Sequence, residues 1–396
     1  MKSESLPNDV KLLLAANSLY KVADLFLGTF FISFIMQNSF GEIAAVSVYN
    51  LFLYLALIGG FLLIAKWVKQ RDKVAVFRLN IVPRALFLLA IIFMKESIVD
   101  YIVPLGILYG LFVALYWSPM HLMTGEKVRT DLMPKFVGYA TLVKGVTKVA
   151  APVLLGLFIT VGSYTEMAWA LLVISVLELA FTFFMKPSMH RSKARVDFAG
   201  FYNCMMRFPI IRRLFAIEIL RGFSLSALGT VVVMYTVYMF RTDLNLGIFT
   251  TVFALVSIIK AYLFGRFAKR HMFKNLLLWS TLTGTIALLA FAAYSSQTTF
   301  LAYNFINATA IGILDIIIET QMYNLSKSRC VTKDHKTEYF LFRETALAIG
   351  RLSGFAILMM VGIFGGYDWL CYYLGLLAAA MGLMGYMSMR INEHIK

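Results

Sequence analysis

The chain has 396 residues, of which 60% are hydrophobic and only 15% are charged, and its formal net charge is +16. Soluble domains are about 45–50% apolar and about 25% charged, so this composition excludes a soluble enzyme. A bilayer-spanning helix needs about 20 apolar residues, so the apolar residues of this chain would fill about twelve spans. The three cysteines lie far apart and imply neither a disulfide framework nor a metal site.

Twelve apolar runs are long enough to cross a membrane. Each is continuous rather than alternating, which favours helices over the alternating strands of a membrane barrel. The predicted spans cover residues 12–36, 43–65, 77–94, 99–122, 137–161, 166–185, 214–240, 246–265, 275–294, 299–322, 340–363 and 368–389. Pro83 and Arg84 interrupt the third run, which makes it the least regular. We therefore expect an all-α integral membrane protein with twelve transmembrane helices.

The basic residues lie mainly on one side of this predicted topology. Of the 37 Lys and Arg residues, 27 fall in the termini and in the loops that follow even-numbered spans, and 2 fall in the opposite loops. Because positively charged loops stay in the cytoplasm, we expect both termini there, in a multi-pass protein of the plasma (inner) membrane. The topology accounts for the net charge, so we expect membrane lipid, and not nucleic acid, as a partner.

The longest polar stretch, residues 186–213, divides the chain near its middle. It contains basic and apolar residues in mixture, and two interpretations are open: an amphipathic helix on the inner leaflet or a solvated basic linker. Either way, we expect an N-terminal six-helix bundle (residues 1–185), a linker, and a C-terminal six-helix bundle (residues 214–396).

Similar residues recur in the two halves at a nearly constant offset. Leu27-Gly28-Thr29 matches Leu228-Gly229-Thr230 at 201 residues, the segment 63–69 matches 263–269 at 200, and Lys148 matches Arg351 at 203. This repeat predicts two pseudo-symmetric bundles. Duplicated halves that expose a midplane site alternately to each side are a transporter design.

In its six-plus-six spans, cytoplasmic termini, basic central loop and half-repeat, the sequence resembles the major facilitator superfamily. The resemblance covers nearly the whole chain, although Ala65 stands where the family's loop between spans two and three usually has an acidic residue. The segment Ala151-Pro152 looks like part of the G-P-x-x-G-G element of family exporters. The resemblance implies a secondary active transporter that works by alternating access. We expect it to act as a monomer, without a cofactor, driven by H⁺ or another ion gradient.

Fourteen ionisable residues lie within the predicted spans, where a mid-helix charge costs about 2.5–3.5 kcal/mol on insertion scales. Lys148 and Arg351 are predicted to lie deep, and neither has an acidic residue three or four positions away. Two such cations suit a carboxylate or phosphate, so we expect a small organic anion or anionic amphiphile as substrate. Lys144, one turn from Lys148, extends this basic strip. The alternative is pairing with Asp24 or Glu178 from other helices.

Lys21 and Asp24 are three residues apart and share a helix face, and Glu218 and Arg221 repeat that spacing in the equivalent helix. We expect Asp24 to be the proton-coupling group and Lys21 and Arg221 to help to hold the substrate. The alternative is that each pair only neutralises itself in lipid. The other carboxylates considered for proton coupling are Asp315, Glu319 and Glu178.

Four further side chains are candidates for the central cavity. Tyr116 and Trp117, close to Pro119, can stack on a substrate or anchor the helix at the membrane interface. Asn304 and Asn307 can line the cavity or tie helices together by hydrogen bonds.

Other classes of protein fit the sequence less well than a transporter. A membrane enzyme would need a metal motif or a nucleophile with a base, whereas the five histidines are scattered at predicted cytoplasmic edges. A non-transporting sensor or scaffold would not need deep charges at equivalent places in both halves. A multidrug or lipid exporter, or a flippase, stays an alternative, because basic cavity residues also suit anionic headgroups.

Overall fold

The computed structural model describes residues 7–39, 43–128, 133–187, 198–268, 270–326 and 336–394. Within these ranges every regular element is a helix, as the composition predicts. A helix is favoured because it satisfies its backbone hydrogen bonds internally, which continuous apolar segments in lipid require.

The first half of the chain forms helices α1 to α8. They are α1 (Asn8–Leu25), α2 (Phe31–Asn38), α3 (Ile43–Gln70), α4 (Lys73–Arg78), α5 (Ile81–Met94), α6 (Ile102–Lys127), α7 (Met133–Val161) and α8 (Tyr164–Phe183). A π-helical turn at Phe26–Phe30 joins α1 to α2, and a 3₁₀ segment at Lys95–Tyr101 joins α5 to α6.

The second half forms helices α9 to α17. They are α9 (Phe198–Arg207), α10 (Pro209–Arg221), α11 (Ala227–Phe240), α12 (Asp243–Phe267), α13 (Phe273–Ala293), α14 (Gln297–Ile306), α15 (Gly312–Ser326), α16 (Lys336–Phe364) and α17 (Leu370–His394). Further π-helical turns at Gly222–Ser226 and Asn307–Ile311 join α10 to α11 and α14 to α15.

Ten segments of the described residues are long and apolar enough to cross a membrane. One of them, Lys73–Met120, is 48 residues long and contains α4, α5 and most of α6. In α7, only the stretch Gly145–Val161 counts, as a shorter apolar helix. The structure therefore supports a multi-pass helical membrane protein, and the count of twelve spans stays a prediction.

The chain divides into two compact units. Unit 1 consists of residues 1–41, 52–195 and 236–251, and unit 2 consists of residues 42–51, 196–235 and 252–396. The start of α3 thus belongs to unit 2, and the junction of α11 and α12 belongs to unit 1. The predicted linker lies partly outside the described residues, at 188–197, so the division at 186–213 stays a prediction.

Within unit 2, α10 and α16 cross at close range. A Cβ atom at Gly222 would collide with the carbonyl oxygen of Leu347, and one at Gly350 would collide with that of Ile219. Small residues at a crossing let two helix backbones approach each other. The crossing brings the C-terminal end of α10, where Arg221 lies, towards α16.

Candidate functional site

The carboxylate of Asp24 in unit 1 is held by three donors. The Lys21 ammonium lies 3.0 Å from Asp24 Oδ2. The hydroxyls of Tyr109 and Tyr20 donate to Asp24 Oδ1 at 3.1 and 3.3 Å. Gly28, in the π-helical turn, leaves room for Tyr109, because a Cβ atom there would lie 2.8 Å from the hydroxyl oxygen. The carboxylate is therefore well hydrogen-bonded, although 26% of the side chain remains exposed.

An aromatic cluster packs beside this carboxylate. The ring of Tyr20 stacks on that of Tyr116 with centroids 3.3 Å apart, and it meets Trp117 edge-on at 5.9 Å. Both tyrosines are buried, and the Tyr116 hydroxyl donates to Asn17 Oδ1 at 2.6 Å. The Lys21 ammonium lies 4.8 Å from the Trp117 ring centroid and 5.0 Å from that of Tyr20. These distances are within the range of cation–π attraction.

Glu178 forms a buried ion pair in unit 1. Its Oε2 lies 2.6 Å from Arg84 Nη1, and both side chains are completely buried. The Arg84 guanidinium also lies 5.2 Å from the centroid of the Phe112 ring. Neither charged side chain has a hydrogen bond to any third described group. The pair therefore neutralises itself in the buried core between α5 and α8.

Arg221 is the centre of a group of charges in unit 2. Its Nη2 lies 2.7 Å from Asp315 Oδ1 and 3.4 Å from Glu319 Oε2. Its Nη1 lies 3.4 Å from Glu218 Oε2, which confirms the pair predicted from their spacing. Asp315 and Glu319 are four residues apart on α15, and each side chain is 42% exposed, whereas Glu218 is fully buried.

Arg343 of α16 extends this group. Its Nε lies 3.3 Å from Glu218 Oε1, and its Nη1 lies 3.1 Å from Glu344 Oε1. Glu218 thus bridges two guanidinium groups. The Arg221 cluster consists of Glu218, Arg221, Asp315, Glu319, Arg343 and Glu344. With every member ionised, four carboxylates and two guanidinium groups leave an excess of two negative charges.

Lys260 of α12 approaches this cluster. Its ammonium occupies the space next to Gly312 that a Cβ atom would fill, and it interacts electrostatically with Asp315. Even when Lys260 is counted, one negative charge remains in excess. The members of the Arg221 cluster and Lys260 therefore form one network of charges.

The cations predicted to bind an anion lie in different units. Lys148 is in α7 of unit 1 with an exposed side chain. Arg351 is in α16 of unit 2, partly exposed, and donates to Ser226 Oγ at 3.0 Å. Lys144 also lies in α7, but its side chain is outside the described part of the structure. An anion site formed by these residues stays a prediction.

The other predicted cavity residues have mixed surroundings. Trp117 is partly exposed beside Lys21, whereas Tyr116 is buried in the aromatic cluster. Asn304 is buried and donates to the carbonyl oxygen of Phe300 at 2.8 Å. Asn307 begins a π-helical turn and is partly exposed. Contact of these side chains with a substrate stays a prediction.

Asp243, the first residue of α12, is a buried carboxylate that sequence reasoning missed. It accepts hydrogen bonds from Ser33 at 2.6 Å, Tyr164 at 2.7 Å and Gln37 at 3.1 Å. All three donors are neutral and distant in the sequence, and the predicted topology placed Asp243 in an outer loop. A local pattern gives no signal for such an arrangement.

The apolar helices of the described residues define a multi-pass helical membrane protein. Among the described residues, no group of three or more His, Cys, Asp or Glu side chains is placed to hold a metal ion. The family model of the Major Facilitator Superfamily matches residues 14–329. The chain therefore belongs to this superfamily, as the sequence resemblance predicted.

Curated bacterial proteins are similar to the chain. It is 22% identical over 356 residues to "Uncharacterized protein YqgE" of Bacillus subtilis (strain 168), covering 88% of this chain and 81% of that protein. It is 22% identical over 157 residues to "Uncharacterized protein in sodM 3'region" of Geobacillus stearothermophilus, covering 40% of this chain and 73% of that protein.

Solved structures of transporters share the fold. An inward-facing bacterial homologue of the iron transporter ferroportin matches with a TM-score of 0.72 and 16% identity, covering 98% of this chain and 100% of that chain. A bacterial metal transporter matches with a TM-score of 0.64 and 16% identity, covering 98% of this chain and 99% of that chain. Family and fold together identify a membrane transporter and not an enzyme.

Proposed function

We propose that the protein is a secondary active transporter that works by alternating access and is driven by a proton gradient. Asp315 and Glu319 are the proton-accepting groups in this proposal. One observation carries it: the Arg221 cluster holds four carboxylates but only two guanidinium groups within apolar helices.

The excess of negative charge supports proton coupling. Uncompensated charge is expensive in a low-dielectric membrane interior. A proton that binds to the cluster reduces this excess, and its release restores it. Occupancy by protons therefore changes the attraction between Arg221 and its partners, which gives a route from protonation to a change in packing within unit 2.

Exposure and contacts favour Asp315 and Glu319 over the other carboxylates. Both side chains are 42% exposed, and both contact the same Arg221 nitrogen. Glu218 is fully buried between two guanidinium groups. A proton that arrives at Asp315 or Glu319 therefore alters a contact of Arg221 directly.

Asp24, the preferred proton site from the sequence, becomes the second candidate. Its three donors satisfy the ionised form, and 26% of its side chain is exposed. Glu178 is the weakest candidate, because it is fully buried against Arg84.

The geometry gives limited support to an anionic substrate. Lys21 and Arg221, which were expected to assist Lys148 and Arg351, both have carboxylates as close partners. The names of the structural neighbours mention iron and metal transport, but at 16% identity we carry only their fold over to this chain.

Proton coupling is tested in proteoliposomes that contain the full chain and an entrapped pH-sensitive dye. A panel of amines, carboxylates and neutral solutes is added outside, and a coupled solute changes the internal pH. We expect Asp315→Asn and Glu319→Gln to abolish this pH change while solute counterflow persists, since exchange needs no net proton movement.

Asp100→Asn serves as the control, because this exposed carboxylate lies in the 3₁₀ segment of unit 1 and is not a member of the Arg221 cluster. It should retain the wild-type pH signal. Wild-type proton movement in both Asp315→Asn and Glu319→Gln would move the coupling role to Asp24. Transport of a solute without any pH change in the wild type would refute proton coupling.

A further inference from the structure

We infer that Tyr20, Lys21, Asp24 and Trp117, here called the ammonium site, bind the positively charged ammonium group of an organic substrate. In the structure, the Lys21 side chain supplies the ammonium that occupies this site. The inference rests on the proposed transporter function and names a substrate class for it, but it does not depend on which carboxylate accepts protons.

The surroundings of the Lys21 ammonium are those of a recognition site for organic cations. The ammonium lies 3.0 Å from Asp24 Oδ2, 4.8 Å from the Trp117 ring centroid and 5.0 Å from that of Tyr20. Aromatic faces attract ammonium groups through the ring quadrupole, and aromatic cages bind quaternary ammonium ligands by this means. A carboxylate at the edge of the site adds charge attraction.

The two oxygens of Asp24 have different partners. Oδ1 accepts hydrogen bonds from Tyr20 and Tyr109, whose hydroxyls fix the orientation of the carboxylate. Oδ2 faces the Lys21 ammonium. When Lys21 moves away, Oδ1 stays held and Oδ2 is presented to another cation. The site is thus preorganised independently of the lysine that occupies it.

The Tyr20 ring is a fixed part of the ammonium site, whereas the Lys21 side chain is free enough to move. Tyr20 is completely buried and stacks on Tyr116, so its ring cannot easily move. The side chains of Lys21 and Asp24 are 21% and 26% exposed. Lysine is a flexible four-carbon chain with a strongly hydrated head group, so its ammonium can leave for water at the exposed edge. A ligand cation can then take its place.

This arrangement predicts competition between Lys21 and a ligand. We propose a titration of the purified full chain with choline, monitored by tryptophan fluorescence and by the thermal unfolding midpoint. The matched probe is 3,3-dimethyl-1-butanol, which has the same shape without the charge. Choline should bind Lys21→Met at least ten-fold more tightly than the wild type, and the alcohol should bind neither protein measurably.

Lys274→Met, which removes an exposed lysine of unit 2, controls for net charge and should keep the wild-type affinity for choline. Trp117→Leu and Asp24→Asn should each weaken choline binding at least ten-fold in the wild-type background. Gel filtration shows whether Lys21→Met folds. If it does not, Trp117→Leu and Asp24→Asn alone test whether the ammonium site binds choline.

Three results would overturn the ammonium site: no gain in affinity in a folded Lys21→Met protein, equal binding of the alcohol and choline, or unchanged choline binding in Trp117→Leu. Because these titrations use detergent-solubilised protein without a gradient, they are independent of proton coupling. Loss of proton movement in proteoliposomes with intact choline binding would refute only the proton-gradient proposal.

Discussion

Units 1 and 2 place different chemistry at matching positions. In unit 1, Tyr20 of α1 packs against Phe112 and Tyr116, two aromatic residues four positions apart on α6. In unit 2, the matching residue of α10 is Arg221, 201 positions later, and its two partners on α15 are carboxylates, again four positions apart. The same helix geometry therefore carries a neutral aromatic stack in one unit and an excess of charge in the other.

In another pair of helices, unit 1 carries the charged residues and unit 2 carries the neutral contact. In unit 1, α5 and α8 contain the fully buried Arg84–Glu178 ion pair. In unit 2, α13 and α17 meet closely where Gly284 faces the methyl group of Met381. The Arg84–Glu178 pair of unit 1 is thus fully buried and neutral, whereas the Arg221 cluster of unit 2 is partly exposed and carries an excess of carboxylates. This contrast teaches that charged residues in apolar helices can serve packing at one place and collect as a partly exposed network at another.

The largest effect is expected when the buried pair of unit 1 is broken. Glu178→Ala leaves the Arg84 guanidinium buried without its partner, which should lower the free energy of unfolding by about 3–5 kcal/mol. The measurement is denaturant unfolding in detergent. Replacing both Arg84 and Glu178 by Met should recover most of the loss. A loss below about 1 kcal/mol in Glu178→Ala would show that the pair is not a packing element.

A smaller and asymmetric effect is expected in the Arg221 cluster. Arg221→Gln removes the contacts to three carboxylates and should lower the free energy of unfolding by about 2–3 kcal/mol, in the range of hydrogen bonds to charged groups. Glu319→Gln removes one of the excess negative charges and should cost less than about 1 kcal/mol. Both variants are measured by the same unfolding assay at low salt. An equal loss of unfolding free energy in Arg221→Gln and Glu319→Gln would contradict the excess of negative charge in the cluster.

The smallest effect compares one tyrosine hydroxyl in each unit. Tyr109→Phe removes a hydrogen bond to Asp24 and should cost about 1 kcal/mol. Tyr303→Phe in unit 2 removes a buried hydroxyl that has no hydrogen-bond partner among the described residues, so it should be neutral or slightly stabilising. Thermal unfolding midpoints of the two variants test this order, and a larger loss in Tyr303→Phe would reverse it.

The sequence predicted the helices and the contacts between residues three positions apart, because both depend on local backbone geometry. The apolar runs predicted helices. The run 77–94 is divided by a turn at Leu79–Asn80 into the end of α4 and the whole of α5, and Pro83 is tolerated because it lies in the first turn of α5. The three-residue spacing predicted the contacts of Lys21 with Asp24 and of Glu218 with Arg221, which are both present. These pairs depend only on the helix period.

Contacts between distant helices could not be predicted in this way. Arg84 and Glu178 are separated by 94 residues, as are Arg221 and Asp315, and which helix faces which depends on packing of whole units. The sequence placed Asp315 in a predicted span but did not indicate that a guanidinium group from another helix contacts it.

The π-helical turns at Phe26–Phe30 and Gly222–Ser226 have a consequence for how such sequences diverge. Each turn accommodates one residue more than α-helical hydrogen bonding requires, and one residue corresponds to about 100° of rotation. A descendant that lost that residue would keep an unbroken helix but turn everything beyond it to another face.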